Sequence, residues 1–347
     1  MFGGQQPVLL NVGLLVVSIA IILAACELFV NGIEWLGKKL NLGEGAVGSI
    51  LAAVGTALPE TLLPMIAIIL VGGEAAHEIG IGAILGAPFM LSTAAFFVTG
   101  TAVLIFSRRG RRTPLMRVNT TILGRDMRFF LIVYLVAFAS AFVPWHVAKI
   151  GIAIFLVCLY GYYVVRTLGG DSSHGGEDLN PLYFARSAPV PGMLVVLAQV
   201  LTALAMIIVG AQVFVRNLEV VAAALGASPL VLSLIIAPLA TELPEKFNSV
   251  LWVRESKDTL AMGNISGAMV FQSCIPVAVG LVLTEWQLDQ YALASVFIAL
   301  ASTTVVFSRM RASGHLTGNI LAFSGLFYLA YIAFVAFVPA AGPVPVH

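Results

Sequence analysis

Residues 55–60 read GTALPE and residues 240–245 read ATELPE. Each hexapeptide sits inside a long apolar run, and each sets a carboxylate directly after a proline. A charged side chain at the centre of a bilayer costs at least about 2.5–3.5 kcal/mol on insertion scales. Proline adds to the cost, because it has no N–H and leaves the carbonyl four residues earlier without its helical partner. Pro59 frees the oxygen of Gly55, Pro244 that of Ala240, Pro64 that of Glu60 and Pro238 that of Leu234. The residue before each proline is also pushed out of helical geometry. The pattern predicts that both helices break beside Glu60 and Glu245, next to the hydroxyls of Thr56 and Thr241, giving a cluster of hard oxygens at mid-depth.

The surrounding chain supports a membrane setting. Of 347 residues, 60% are hydrophobic and only 10% charged, and the mean hydropathy is +1.01. A water-soluble domain cannot hide that much apolar surface. Apolar windows long enough to span hydrocarbon fall near 8–31, 45–71, 79–106, 129–145, 147–166, 192–215, 228–252, 259–284, 290–308 and 317–339. The opening MFGGQQPVLL lacks the basic flank of a cleaved leader, so the first segment is expected to be a retained helix. The fold class expected is an all-α polytopic membrane protein. The stretch 167–190, rich in Gly, Ser and Asp, reads as a flexible linker. Fifteen Lys and Arg residues fall in one set of loops against two, Lys149 and Arg216, in the other. That bias places the Arg-rich loop 108–128 in the cytoplasm and both termini outside an inner or plasma membrane.

The two hexapeptides belong to an internal repeat. Residues 27–60 align with 212–245 at a constant offset of 185, sharing Phe-Val, Glu34/Glu219, Ile50/Ile235, Ala52/Ala237, Thr56/Thr241 and Leu-Pro-Glu. After a four-residue slip, GAILGAPFMLS (82–92) meets GNISGAMVFQS (263–273). Five spans per copy is an odd number, so the copies enter the membrane from opposite sides. Ten helices arranged as two inverted five-helix repeats, 1–166 and 191–347 about the cytoplasmic linker 167–190, are characteristic of secondary transporters. The glycine pairs Gly82/Gly86 and Gly263/Gly267 are expected to let helices approach closely.

These residues resemble the cation/Ca²⁺ exchanger superfamily, in particular its sodium/calcium exchanger branch. That family carries G-T-S-L-P-E-like motifs in the second and seventh helices and G-N-x-x-G-S-N-like motifs in the third and eighth. Here they correspond to segments 48–92 and 233–273. The resemblance implies that Glu60 and Glu245 are the acidic pair, with Thr56 and Thr241 as the preceding hydroxyls. The polar residue four after the G-S serine falls on Leu91 in one repeat and Gln272 in the other. It implies also that the first and sixth helices slide or rock against the core.

The departures bear on the ions. Ala57 and Glu242 stand where the motif has serine, and Ala87 and Ala268 replace the G-S serines. The divalent site therefore looks retained, with Glu242 as a third carboxylate, while hydroxyls used for Na⁺ are missing. Oxygen ligands of this kind suit Ca²⁺. The expected function is antiport of Ca²⁺, or a similar divalent cation, for Na⁺ or H⁺, the proton travelling on Glu242, Glu245 or Glu60. A cation channel, or a carrier of this fold for another cation, is the alternative. The candidate metal ligands are Glu60, Glu245, Glu242, Thr56, Thr241 and Gln272. No cofactor, nucleic-acid partner or obligatory protein partner is expected; the partners are inorganic cations and the lipid bilayer. No enzyme signature is present: HEIG at 77–80 lacks the second histidine of a zinc protease, with Ile81 in its place.

Overall fold

The computed structural model describes residues 8–40, 60–168 and 179–338, apart from the side chains of residues 240 and 243–248. Ten helices are found among the described residues. They are α1 (Val8–Lys39), α2 (Glu60–Val71), α3 (Glu74–Arg108), α4 (Thr120–Ser140), α5 (His146–Leu168), α6 (Met193–Leu225), α7 (Pro229–Arg254), α8 (Asp258–Leu283), α9 (Gln290–Ser313) and α10 (Gly318–Phe337). Seven are long and apolar enough to cross a membrane, and the chain is an integral membrane protein. Helices α4 and α7 are set apart by charge: every 18-residue window of α7 contains Glu242, Glu245 and Lys246, and every one of α4 contains Arg125, Asp126 and Arg128.

Several helices outrun the hydropathy windows because capping and amphipathic ends carry them past the apolar stretch. Helix α4 begins at Thr120, where the Asn119 side chain accepts from the N–H groups of Thr121 (3.1 Å) and Ile122 (3.2 Å). That is the usual way to satisfy orphan donors at a helix start. Helix α6 continues to Leu225 and stops at Gly226, whose φ of 64° is the left-handed cap that glycine adopts most readily.

The chain forms two compact units, neither of which is a sequence half. One takes residues 1–77 and 161–229; the other takes 78–160 and 230–347.

In the first unit α1 and α6 pack along their length. A Cβ on Gly32 would stand 2.8 Å from Val200 Cγ2, and one on Gly210 would stand 2.9 Å from Ile22 Cγ1. The sequence predicts a flexible linker over 167–190, but its second half is docked on this pair. Leu182 is fully buried beside Trp35 and Val196. Trp35 Nε1 donates to Asn180 O (2.9 Å), and Asn31 Nδ2 donates to Asn180 O (3.3 Å). Asn31 Oδ1 accepts from Tyr183 N (3.2 Å) and from Gln199 Nε2 (3.0 Å), while Gln199 Oε1 accepts from Phe184 N (2.9 Å). Composition suggested flexibility because Gly and Ser dominate the first half; residues 169–178 lie outside the described set. The docked half uses partners on other helices, which a composition count cannot see.

In the second unit α4 packs on α8 and α9, and α10 on α3 and α9. Two short strands, β1 (Leu115–Met116) and β2 (Leu316–Thr317), pair antiparallel and clasp the α3–α4 loop to the α9–α10 loop. The Arg-rich loop does more than carry charge. Arg112 forms a buried bidentate pair with Asp258 (Nη1–Oδ1 2.7 Å, Nη2–Oδ2 3.0 Å) and donates to Val253 O (2.7 Å). Arg117 N adds a bond to Asp258 Oδ2 (2.8 Å). This fork-to-fork geometry anchors the first turn of α8, the helix that carries Gln272.

Candidate functional site

Helix α7 positions the second hexapeptide, and here one expectation is corrected. The two prolines were expected to break the helix; instead α7 runs unbroken from Pro229 to Arg254 through Pro238 and Pro244. At Pro238 the reason lies in what receives the freed oxygen. Leu234 O, released by Pro238, stands 2.3 Å from the position a Cβ would occupy on Gly86, so it rests against that glycine's own Cα hydrogen. A C–H···O contact of this kind is a weak hydrogen bond. It spares the carbonyl from hydrocarbon without unwinding the helix. Leu230 O stands equally close to Gly82, and Ser233 Oγ donates to Ile79 O (2.7 Å). The GxxxG pair on α3 thus has the packing role its spacing suggested. No described atom lies within 4 Å of a Cβ at Gly263 or Gly267, and the segment equivalent to 230–238 by repeat, 45–53, lies outside the described residues.

In the first repeat, Thr56 and Pro59 lie outside the described residues, so the expected break before Glu60 cannot be placed. From Glu60 onward the chain is helical through Pro64, ending in a wide turn over Ala67–Val71 in which Gly72 N donates to Ala67 O (3.0 Å).

The candidate ligands are distributed as follows. Glu242 is 1% exposed and Gln272 is 1% exposed, and Gln272 Nε2 lies 3.4 Å from Glu242 Oε1. Thr241 is buried and donates to Ala237 O (3.1 Å). Glu242 and Gln272 are brought together across α7 and α8 within the second unit, while the Thr241 hydroxyl is turned to its own helix. Glu60 is buried at the start of the described part of α2, in the first unit. The backbone of Glu245 belongs to α7, but its side chain lies outside the described residues. Among the described residues no group of three or more His, Cys, Asp and Glu gathers as a metal cluster.

The Glu242–Gln272 pair sets a buried carboxylate beside a buried amide, across α7 and α8. Burying a carboxylate in an apolar helix bundle is costly unless something compensates it. The amide Oε1 of Gln272 has no hydrogen-bond partner among the described residues although it is buried. A buried acceptor left so is uncommon in a folded protein. The equivalent position of the first repeat, Leu91, is fully buried and apolar. This position is therefore polar in one repeat and apolar in the other.

Besides Asp258, a second buried carboxylate escaped the sequence reading. Asp126 on α4 is 3% exposed, accepts from Ser266 Oγ on α8 (2.9 Å) and pairs with Arg125 (3.1 Å). The three charges Arg125, Asp126 and Arg128 look like loop in a hydropathy scan. The Asn119 cap was the available sign that they begin a helix. Ser266 serves to join helices, as do Asn264 and Ser249, bonded at 3.3 Å.

The chain can now be compared with known proteins. The sequence profile described as "Sodium/calcium exchanger protein" matches residues 10–169 and 195–339. The chain belongs to that family of membrane antiporters and is not an enzyme. It is 22% identical over 324 residues to "Putative antiporter CaxA" of Alkalimonas amylolytica, covering 91% of this chain and 97% of that protein. Its fold is like that of the H⁺/Ca²⁺ exchanger CAX (TM-score 0.73, 17% identity, 97% of this chain and 84% of that one). It is also like the sodium-calcium exchanger NCX_Mj (TM-score 0.56, 18% identity, 94% and 99%).

Proposed function

We propose that this chain is a secondary antiporter in which two inverted five-helix repeats carry Ca²⁺, or a similar divalent cation, against H⁺ or Na⁺ by alternating access. The observation that carries the reading is the buried Glu242 carboxylate held beside the Gln272 amide, on two helices fixed by glycine contacts and by the Arg112–Asp258 anchor. Glu60, the last residue of the first hexapeptide and buried at the start of α2, is assigned as the matching acidic ligand, with Glu245, Thr56 and Thr241 completing the set. The printed names of its relatives and fold neighbours, a putative antiporter and Ca²⁺ exchangers coupled to H⁺ or Na⁺, support the class of reaction.

Between the two counter-ions, the residues favour H⁺. Ala87 and Leu91 are buried where the family pattern offers oxygen ligands for Na⁺. Two protons neutralise two carboxylates as well as one Ca²⁺ does, so a proton-coupled cycle needs no ligands beyond the acidic residues. The orientation assigned is both termini outside and the Arg-rich loop 108–128 in the cytoplasm, in an inner or plasma membrane.

Purified protein in proteoliposomes, with Na⁺ and pH gradients imposed separately, tests the proposal. Ca²⁺ uptake driven by ΔpH is expected, and Glu60→Gln and Glu242→Gln are each expected to abolish it while the protein elutes as a folded species. Ca²⁺ flux driven by Na⁺ and indifferent to ΔpH would discard the proton coupling. Flux without counter-transport would discard the antiporter and leave a channel.

A further inference from the structure

The docked half of the linker builds a hollow that the antiport cycle does not use. It has a volume of about 320 Å³ and is walled by Trp35 and Lys38 from the end of α1 and by Pro181, Arg186 and Ser187 from the linker. All of these residues belong to the first unit. The backbone of the linker is fixed there by the Asn31, Trp35 and Gln199 hydrogen bonds, so Arg186 is delivered to its place by the fold and does not drift on a loose loop.

Both cations are laid on aromatic faces. Lys38 Nζ is 5.2 Å from the Trp35 ring centroid, and Arg186 Cζ is 5.0 Å from that of Tyr183. Such stacking orients a cation while leaving its N–H groups available. The neighbouring carboxylate of Glu27 receives the hydrogen bond of the Tyr183 hydroxyl. That bond also raises the pKa of the phenol above its ordinary value. Among the described walls of the hollow there is no carboxylate, and neither Lys38 nor Arg186 forms an ion pair with a described residue. Lys38 and Arg186 are both exposed to solvent and line one hollow, so their positive fields add where an anion would sit.

We propose that this hollow binds a phosphate-bearing anion, the chemistry shared by an anionic phospholipid headgroup and free phosphate. Arg186 supplies a planar fork suited to phosphate oxygens, Lys38 a point charge, and the Ser187 hydroxyl a further donor. Lys38 and Lys39 form the last turn of α1, where a membrane helix meets the headgroup layer. A lipid is therefore the source the position favours; only the choice of leaflet rests on the orientation proposed above.

The test uses the full-length protein, delipidated in detergent, with its thermal midpoint followed by size-exclusion chromatography. Phosphatidylglycerol is expected to raise the midpoint by at least ~3 °C more than phosphatidylcholine does. Lys38→Gln/Arg186→Gln should lose that difference, whereas Arg309→Gln/Arg311→Gln, which removes two cations elsewhere, should keep it. A shift given by inorganic phosphate, and lost in the same double variant, would support the site with free phosphate as its source. An equal phosphatidylglycerol shift in the Lys38/Arg186 variant, or no shift with either probe, overturns the proposal. If the double variant does not fold, each single variant should lose part of the shift, and two unchanged singles overturn it equally. The measurement involves neither transport nor sidedness, so its failure is separate from failure of the antiporter reading.

Discussion

Two helix pairs in this molecule solve the same problem by different means. In the first unit α1 and α6 are joined by a polar lattice: Asn31 and Gln199 bind each other, and both, with Trp35, bind the docked linker. In the second unit α3 and α7 meet backbone to backbone, with Gly82 and Gly86 set against Leu230 O and Leu234 O. A lattice of side chains can be remade in another geometry, because rotamers can change. A carbonyl wedged against a glycine Cα has no such freedom. The difference teaches that the pair carrying Glu242 is built for a fixed spacing, whereas the pair carrying the linker depends on bonds that can be broken singly.

Substitutions rank this contrast. Gly86→Ala should do the most damage, because its methyl group meets a backbone oxygen at 2.3 Å that cannot rotate away. We expect about 3 kcal/mol or more of lost stability, read as a fall in the detergent midpoint with loss of the monodisperse peak. A midpoint within a degree of the parent would show that α3 and α7 are not held this closely.

Asp258→Asn ranks next, at about 3 kcal/mol, since it strips the charge partner from the buried Arg112 guanidinium. Restoration by Arg112→Met in the same chain would identify the uncompensated charge as the cause.

Asn31→Leu should cost about 2 kcal/mol, as partners on the linker and on Gln199 lose their bonds. Here hydrogen exchange is the sharper measurement. The amide of Tyr183 should lose protection while those of α7 do not change; uniform protection throughout would mean that the linker is held by apolar contacts alone.

Gly32→Ala should cost only about 1 kcal/mol, because its close neighbour, Val200 Cγ2 at 2.8 Å, is the tip of a side chain. If it proves as damaging as Gly86→Ala, the distinction between the two pairs fails. Gly13→Ala, on an exposed face with nothing within 4 Å, serves as the baseline and should stay within about 0.5 kcal/mol of zero.

Much of this architecture was open to reading from the chain. Hydropathy located the described helices, apart from the charged opening of α4; the repeat singled out Glu60 and Glu245, and the family resemblance added Glu242 and Gln272. The spacing of Gly82 and Gly86 announced a close helix contact. What could not be read was the partner of each polar group. Arg112 looked like one more basic loop residue until Asp258 was found opposite it. The second half of the linker looked unstructured until the crevice between α1 and α6 supplied its acceptors and donors.

The prolines mark the boundary between the two kinds of knowledge. Sequence alone determined that Pro238 removes a helical hydrogen bond and frees Leu234 O, since that follows from the covalent structure of proline. Whether α7 then breaks was decided by the fold, because the cost of a freed carbonyl depends on what lies against it. Gly86, about 150 residues away in the chain, supplies that contact, so the helix stays whole at Pro238.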